Sequence, residues 1–290
     1  MKPYTSHFVA SKDGTKIHYR QMGSGEGVIL VHGAMMYSGS FMRLAGWLAN
    51  HFTVYIPDRC GRGLSEAHQN HSLLAESEDI QAIITQTHTR YLFGLSSGAI
   101  IVLQTAIICK SIQKIALFEP PLPVIGTELH LLKLEKEFDR AIAKEHYGKA
   151  FISFMKMAGD KGSWMRLLPR FITSPLMDMA IKKEAKKRPQ NDKTNLRSLI
   201  MATKYDNHVV RQSQGMIDKV PHITADILLL GGEKSHPFLE KSLDTLHAVL
   251  PHAQRVKLPK VGHIAASNNG KPELVAKELM AFFTESKVIL

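Results

Sequence analysis

The chain has 290 residues, 44% of them hydrophobic, enough for one large α/β domain with an insertion or for two small domains. Its formal charge of +11 is concentrated in the middle of the chain, and the densest run, Lys182-Lys183-Glu184-Ala185-Lys186-Lys187-Arg188, has no interleaved aromatics and matches no nucleic-acid motif. It reads as a solvated helix end, so no nucleic-acid partner is expected. No stretch approaches the ~18 apolar residues of a membrane span, and residues 1–16 carry no apolar run of signal-peptide length; the expectation is a soluble, cytoplasmic protein with no membrane partner.

From the amino end, Phe8-Val9-Ala10 and Lys16-Ile17-His18-Tyr19 flank Asp13-Gly14, a pair suited to a tight hairpin turn. Val28-Ile29-Leu30-Val31 reads as a strand buried on both faces of a parallel sheet, ending at His32-Gly33-Ala34. There the glycine lets the Ala34 N–H turn into the crevice above the sheet, while His32 is expected to hold the loop by hydrogen bonds. A helix is expected over 41–50, with Phe41, Leu44, Trp47 and Leu48 on its buried face. The strand 52–56 leads into a Gly-rich loop, 57–65, whose glycine spacing fits no nucleotide cradle. Cys60 lies in that loop and Cys109 near a helix end, so both read as structural thiols with no disulfide suggested. His68 and His71 have no third ligand nearby, and a metal site there is not expected.

A helix over 79–88 precedes the most informative stretch, Tyr91-Leu92-Phe93-Gly94-Leu95-Ser96-Ser97-Gly98-Ala99-Ile100. An apolar strand meets a G-x-S-x-G turn and then a helix over 100–110. Such a turn thrusts Ser96 out as a nucleophile, with Gly94 and Gly98 leaving room for close backbones. The Ser97 N–H, at the start of the helix, can bind a developing oxyanion, and the Ala34 N–H can be the second donor. The strand 112–118 then ends in Glu119-Pro120-Pro121.

This alternation of strands and helices implies a doubly wound, mostly parallel sheet. The alternation then stops. Residues 122–215 show only helical patterns, over 129–144, 149–157, 165–171, 176–188 and 196–210, and read as a lid or cap between core segments 1–121 and 216–290. Several of the 13 methionines fall here and suit an adaptable apolar pocket, although core filling is the default explanation. Strand 227–232, helix 237–250, strand 255–258 and helix 272–283 follow. Gly262-His263 lies just past a strand's carboxyl end, on the same rim as Ser96, which makes His263 the candidate general base.

Taken together, His32-Gly33, the D-R-x-G-x-G-x-S stretch of 58–65, Gly94-Leu95-Ser96-Ser97-Gly98 and Gly262-His263 resemble the α/β-hydrolase family over nearly the whole chain. The resemblance implies a sheet of about eight strands, Ser96 as nucleophile, His263 as base, Ala34 and Ser97 as backbone oxyanion donors, and no cofactor or metal. A serine at position 96 argues against the branches of the family with an aspartate nucleophile.

The acid departs from the family pattern, because the usual G-x-x-D position after the penultimate strand holds Ser235 in Gly232-Glu233-Lys234-Ser235. Asp226 begins its strand, about 16 Å from the rim at roughly 3.3 Å per residue, and Asp244 is inside a helix. Glu119 combines a carboxylate, the correct rim and the chain order Ser, acid, His. Glu233 and a site with no carboxylate stay open as alternatives. The expected function is a serine hydrolase of an ester, or a related acyl or activated C–C bond, of a small to medium apolar substrate. A binding protein with little turnover, or a lyase, on the same scaffold is the alternative.

Overall fold

The computed structural model describes residues 2–123, 128–157, 170–186 and 193–285. Its centre is an eight-stranded sheet in the order β1-β2-β4-β3-β5-β6-β7-β8. The strands are β1 Thr5–Ala10, β2 Lys16–Gly23, β3 Glu26–Val31, β4 Phe52–Pro57, β5 Tyr91–Leu95, β6 Lys114–Phe118, β7 Asp226–Gly232 and β8 Gln254–Leu258. The hairpin β1–β2 pairs antiparallel, β2 pairs antiparallel with β4, and the pairings from β4 through β8 are parallel.

Successive side chains on the central strands go to opposite faces, so each face acquires its own core. Ile29, Val31, Leu92, Ile115, Leu117 and Leu229 join the cluster built with α2 (Leu73–Thr87), α3 (Ser97–Ile108) and α8 (Pro237–Val249). Val28, Leu30, Phe93, Leu95, Phe118 and Leu230 join the cluster built with α1 (Met42–Leu48) and α9 (Pro272–Thr284). This two-faced burial is why these strands read as continuous apolar runs.

Between β6 and β7 the described residues form α4 (Glu128–Ala143), α5 (Tyr147–Met157), α6 (Arg170–Ala185) and α7 (Leu196–Gln212). They share a small core of their own, with Phe138, Tyr147, Ala150, Ile181 and Ile200 buried together and Met35 packed against it.

Three local readings of the sequence are corrected. Trp47 is 49% exposed, because a 3-10 turn at Ser38–Phe41 starts α1 so that Phe41, Leu44, Ala45 and Leu48 form its buried stripe. Helix α2 begins at Leu73, earlier than the expected residue 79, capped by Ser72 Oγ accepting from the Ala75 N–H. Its first turns bury Glu76, Ser77 and Asp79, so apolar periodicity emerges only at Ile80. Helix α6 runs through Pro175, where two separate helices were expected; the missing N–H removes one hydrogen bond near the helix start. The expected helix over 165–171 lies, except for its last two residues, outside the described residues.

Candidate active site

The register of three strands builds the site. Leu95 pairs with Phe118, and Phe118 with Leu230, so Ser96 and Glu119 leave the sheet side by side at its carboxyl rim, next to Gly231 of β7. The ladder continues one step past the strands: Ser96 N–H donates to Phe118 O at 2.9 Å and Glu119 N–H to Leu230 O at 3.1 Å. Ser96 then turns with φ 57° and ψ −126°, and Glu119 with φ 48°. Such left-handed backbone at non-glycine residues costs about 1–3 kcal/mol each and persists only where the surroundings enforce it. The elbow is enforced by contact. A Cβ at Gly94 would lie 2.5 Å from Ala99 Cα, and one at Gly98 would lie 2.4 Å from Val31 O.

The structure brings Glu119 and His263 together. His263 Nδ1 lies 2.7 Å from Glu119 Oε2, and Gly232 N–H donates to the other oxygen, Oε1, at 2.6 Å. The carboxylate is 1% exposed and the imidazole 17%. With Nδ1 engaged, His263 keeps Nε2 for a proton. Ser96 and His263 both line a cavity of about 830 Å³ that is also bordered by Ala34 and Ser97. Ser96 Oγ makes no hydrogen bond with His263 among the described residues. Nor do the Ala34 and Ser97 N–H groups have an acceptor among the described residues.

The other carboxylates weighed from the sequence lie elsewhere. Glu233 is exposed and accepts from Lys260 N–H at 2.8 Å. Asp226 opens β7 and Asp244 sits in α8, paired with Arg255. Ser235 lines the cavity, and its buried Oγ has no hydrogen-bond partner among the described residues.

Behind the elbow is a charged cluster that no local sequence pattern announces. Arg59 grips Glu76 with a two-pronged contact, Nε to Oε2 at 2.7 Å and Nη2 to Oε1 at 2.9 Å. Its Nη1 reaches Asp206 Oδ1 of α7 at 2.7 Å and Ser97 Oγ at 3.1 Å. Ser97 Oγ itself donates to Asp206 Oδ1 at 2.6 Å, and Arg62 Nη2 binds Asp206 Oδ2. Burial opposes the charge on Asp206, but the guanidinium groups of Arg62 and Arg59 outweigh it and hold its carboxyl below the usual range. Glu76 is likewise held well below its usual range, Arg59 overcoming burial.

His32 accepts from Arg59 N–H through Nε2 at 3.3 Å and donates through Nδ1 to Gly33 O at 2.9 Å. Burial, with Arg62 and Arg59 nearby, lowers it to about 3, so it holds the loop as a neutral ring. His68 lies between Asp79 (2.9 Å) and Asp13 (2.8 Å), and His71 binds Glu76 at 2.8 Å. Burial pushes the Cys60 thiol up to about 12, as befits a structural residue.

Fold and elbow define one family. The model of the α/β hydrolase fold matches residues 27–269, and the chain belongs to that family. It is 28% identical over 166 residues to an uncharacterized hydrolase, YraK, of Bacillus subtilis; the match takes in 55% of this chain but only 60% of that protein's length. A shorter match, 29% over 92 residues, is to the cis-3-alkyl-4-alkyloxetan-2-one decarboxylase of Shewanella oneidensis, covering 30% of this chain and 29% of that one. Among solved structures, an α/β hydrolase from Sphaerobacter thermophilus is 27% identical, with a TM-score of 0.75 over 96% of this chain and 100% of that one. No helix among the described residues is long and apolar enough to cross a membrane.

Proposed function

We propose that the protein is a serine hydrolase cleaving esters, or related acyl or activated C–C bonds, of small to medium apolar substrates, with residues 122–215 acting as a cap over the hydrolase core. The observation that carries the reading is the 2.7 Å contact between His263 Nδ1 and the buried Glu119 carboxylate beside a strained serine elbow. Ser96 Oγ attacks the carbonyl carbon while His263 Nε2 takes its proton, and Glu119 fixes the tautomer and stabilises the imidazolium. The Ala34 and Ser97 N–H groups bind the oxyanion. His263 then protonates the leaving alcohol, and water activated by the same imidazole hydrolyses the acyl-enzyme.

Met35, Met36, Phe151, Phe154, Met157 and Val210 line the cavity, which supports an apolar substrate body. A fluorophosphonate probe tests the reading without knowledge of the substrate: mass mapping should find the label on Ser96. A protein that is folded, that the probe leaves unlabelled and that turns over no p-nitrophenyl ester would be a binding protein on this scaffold.

A further inference from the structure

Helix α6 turns an apolar face to solvent. Three of the ten large hydrophobic side chains exposed among the described residues lie on it, Ile172 at 40%, Leu176 at 53% and Met179 at 67%. Their spacing, four residues and then three, puts them on one stripe, with Pro175 and Ala180 exposed beside them. Single exposed hydrophobics are ordinary, but a contiguous run over successive turns of one helix marks an interaction surface. It is not the face that holds α6 in place: Thr173 and Ile181 are buried, and Met177 packs with Ile181 in the small core shared by α4 to α7.

The same stripe continues into positive charge. Lys183 follows Met179 by four residues and Lys186 follows Lys183 by three; both are exposed, and Lys182 is exposed at their flank. Lys186, just past the last residue of α6, keeps the helical bond of its N–H to Lys182 O at 3.1 Å, and the sequence goes on with Lys187-Arg188. The two acidic residues of α6 are held by the protein itself. Asp178 Oδ1 accepts from Gly148 N–H at 2.7 Å, and Glu184 Oε2 from Leu196 N–H at 3.0 Å. The exposed side of α6 is therefore apolar along most of its length and basic at its carboxyl end.

We infer that this side of α6 docks reversibly on an anionic phospholipid surface, with Ile172, Leu176 and Met179 at the acyl boundary and the lysines at the phosphates. Apolar and cationic groups on one stripe match a hydrocarbon layer beneath a negative plane, and an anionic bilayer supplies both. A second copy of the chain fits less well, because two α6 helices facing each other cover the stripe but bring no acid of their own to the lysines. Lying on a bilayer needs no spanning segment, so the lack of one, on which the expectation of no membrane partner rested, does not oppose the contact. The bond from Gly148 N–H to Asp178 fastens α6 to α5, whose Phe151 and Phe154 line the cavity, so the docked face belongs to the cap. The inference stands apart from the hydrolase reading.

The test is co-sedimentation of the full chain with sucrose-loaded vesicles, one set of phosphatidylcholine alone and one of phosphatidylcholine mixed with phosphatidylglycerol. Wild type should partition onto the mixed vesicles at least about tenfold more strongly than onto the neutral ones, and added salt should weaken that preference. The double variant Lys183→Glu, Lys186→Glu should abolish the preference. The double variant Leu176→Ser, Met179→Ser should lower binding to the mixed vesicles by about tenfold or more. All four side chains are exposed, so the thermal unfolding curve of each variant, followed by circular dichroism, should match wild type. Wild type left in the supernatant with mixed vesicles at low salt overturns the inference, as does binding that survives both double substitutions. A chain that ignores vesicles, elutes as a dimer in size-exclusion chromatography and becomes a monomer in Leu176→Ser, Met179→Ser would give the face to self-association instead.

Discussion

Replacing Glu119 by glutamine keeps the shape of the side chain and removes its charge, and the local hydrogen bonds set the size of the effect. The carboxylate accepts at both oxygens, from Gly232 N–H at 2.6 Å and from His263 Nδ1 at 2.7 Å, in a setting only 1% exposed. An amide has one acceptor and one donor end, so Glu119→Gln cannot serve both. If its oxygen keeps Gly232, the NH2 faces His263 Nδ1, the imidazole proton moves to Nε2, and the base can no longer take the Ser96 proton. A tautomer trapped in this way costs about 10⁴-fold in kcat.

If its oxygen keeps His263 instead, the NH2 opposes the Gly232 N–H at about 1–3 kcal/mol, and a charge-assisted hydrogen bond of about 1.5–3 kcal/mol is lost from the imidazolium. At roughly 1.4 kcal/mol per tenfold in rate, that second loss alone approaches 10²-fold. The expected fall in kcat is therefore about 10²–10⁴-fold, measured at saturating p-nitrophenyl ester, with folding checked by circular dichroism. Glu233→Gln should leave kcat within about twofold, since that residue is exposed and, among the described residues, its carboxylate accepts from one loop N–H. A Glu119→Gln protein whose kcat stays near wild type while KM or thermal stability changes would refute the assignment and leave Glu119 a purely structural anchor.

Ser96→Ala should lower kcat by about 10⁴-fold or more with an unchanged melting temperature, and activity persisting in a highly purified sample would remove the nucleophile assignment. Asp206→Leu should destabilise by about 3–5 kcal/mol in urea unfolding, because Arg59 and Arg62 are left buried without their shared partner; a loss under about 1 kcal/mol would contradict the reading. His68 is held up to about 9 by its hydrogen bond to Asp79 and by Asp13. Its folded pKa lies above the unfolded value, so its stabilisation is complete below about pH 6.5 and is lost as pH rises through about 9. His68→Gln should flatten stability over that window, and an unchanged pH profile would count against it. The basic surface, with Lys182, Lys183 and Lys186 exposed, should bind duplex DNA only weakly and release it near physiological salt; a salt-resistant gel shift would overturn that.

The strands and their order along the chain were legible because each buried run is short, apolar and bounded by turn residues, as at Val28-Ile29-Leu30-Val31. The candidates Ser96, Glu119 and His263 were legible from their places just beyond strand ends, and Glu119 in particular because Ser235 occupies the usual position of the acid. The sequence could not show which carboxylate meets His263, since that depends on β6 and β7 leaving the sheet in register. Asp206 and Arg59 are 147 positions apart, and nothing local to either marks the pair. Glu76 and Asp79 concealed the start of α2 for a related reason: their burial is made tolerable by Arg59 and His68, which lie outside the helix and which periodicity does not detect.

The Asp206 contacts also limit how a substrate can enter. Lifting α7 from the core would separate the Asp206 carboxylate from two guanidinium groups that are 0–1% exposed, at about 3–5 kcal/mol. At equilibrium that leaves between about one molecule in 150 and about one in 5,000 with α7 raised. Substrate is therefore expected to reach the cavity on the side of α4 and α5, where Phe151 and Phe154 border it and the ion pair of Glu135 on α4 with Arg211 on α7 has its guanidinium 54% exposed. Substitutions that widen the range of accepted substrates should accordingly accumulate on α5, while changes on α7 near Asp206 should alter turnover and stability together.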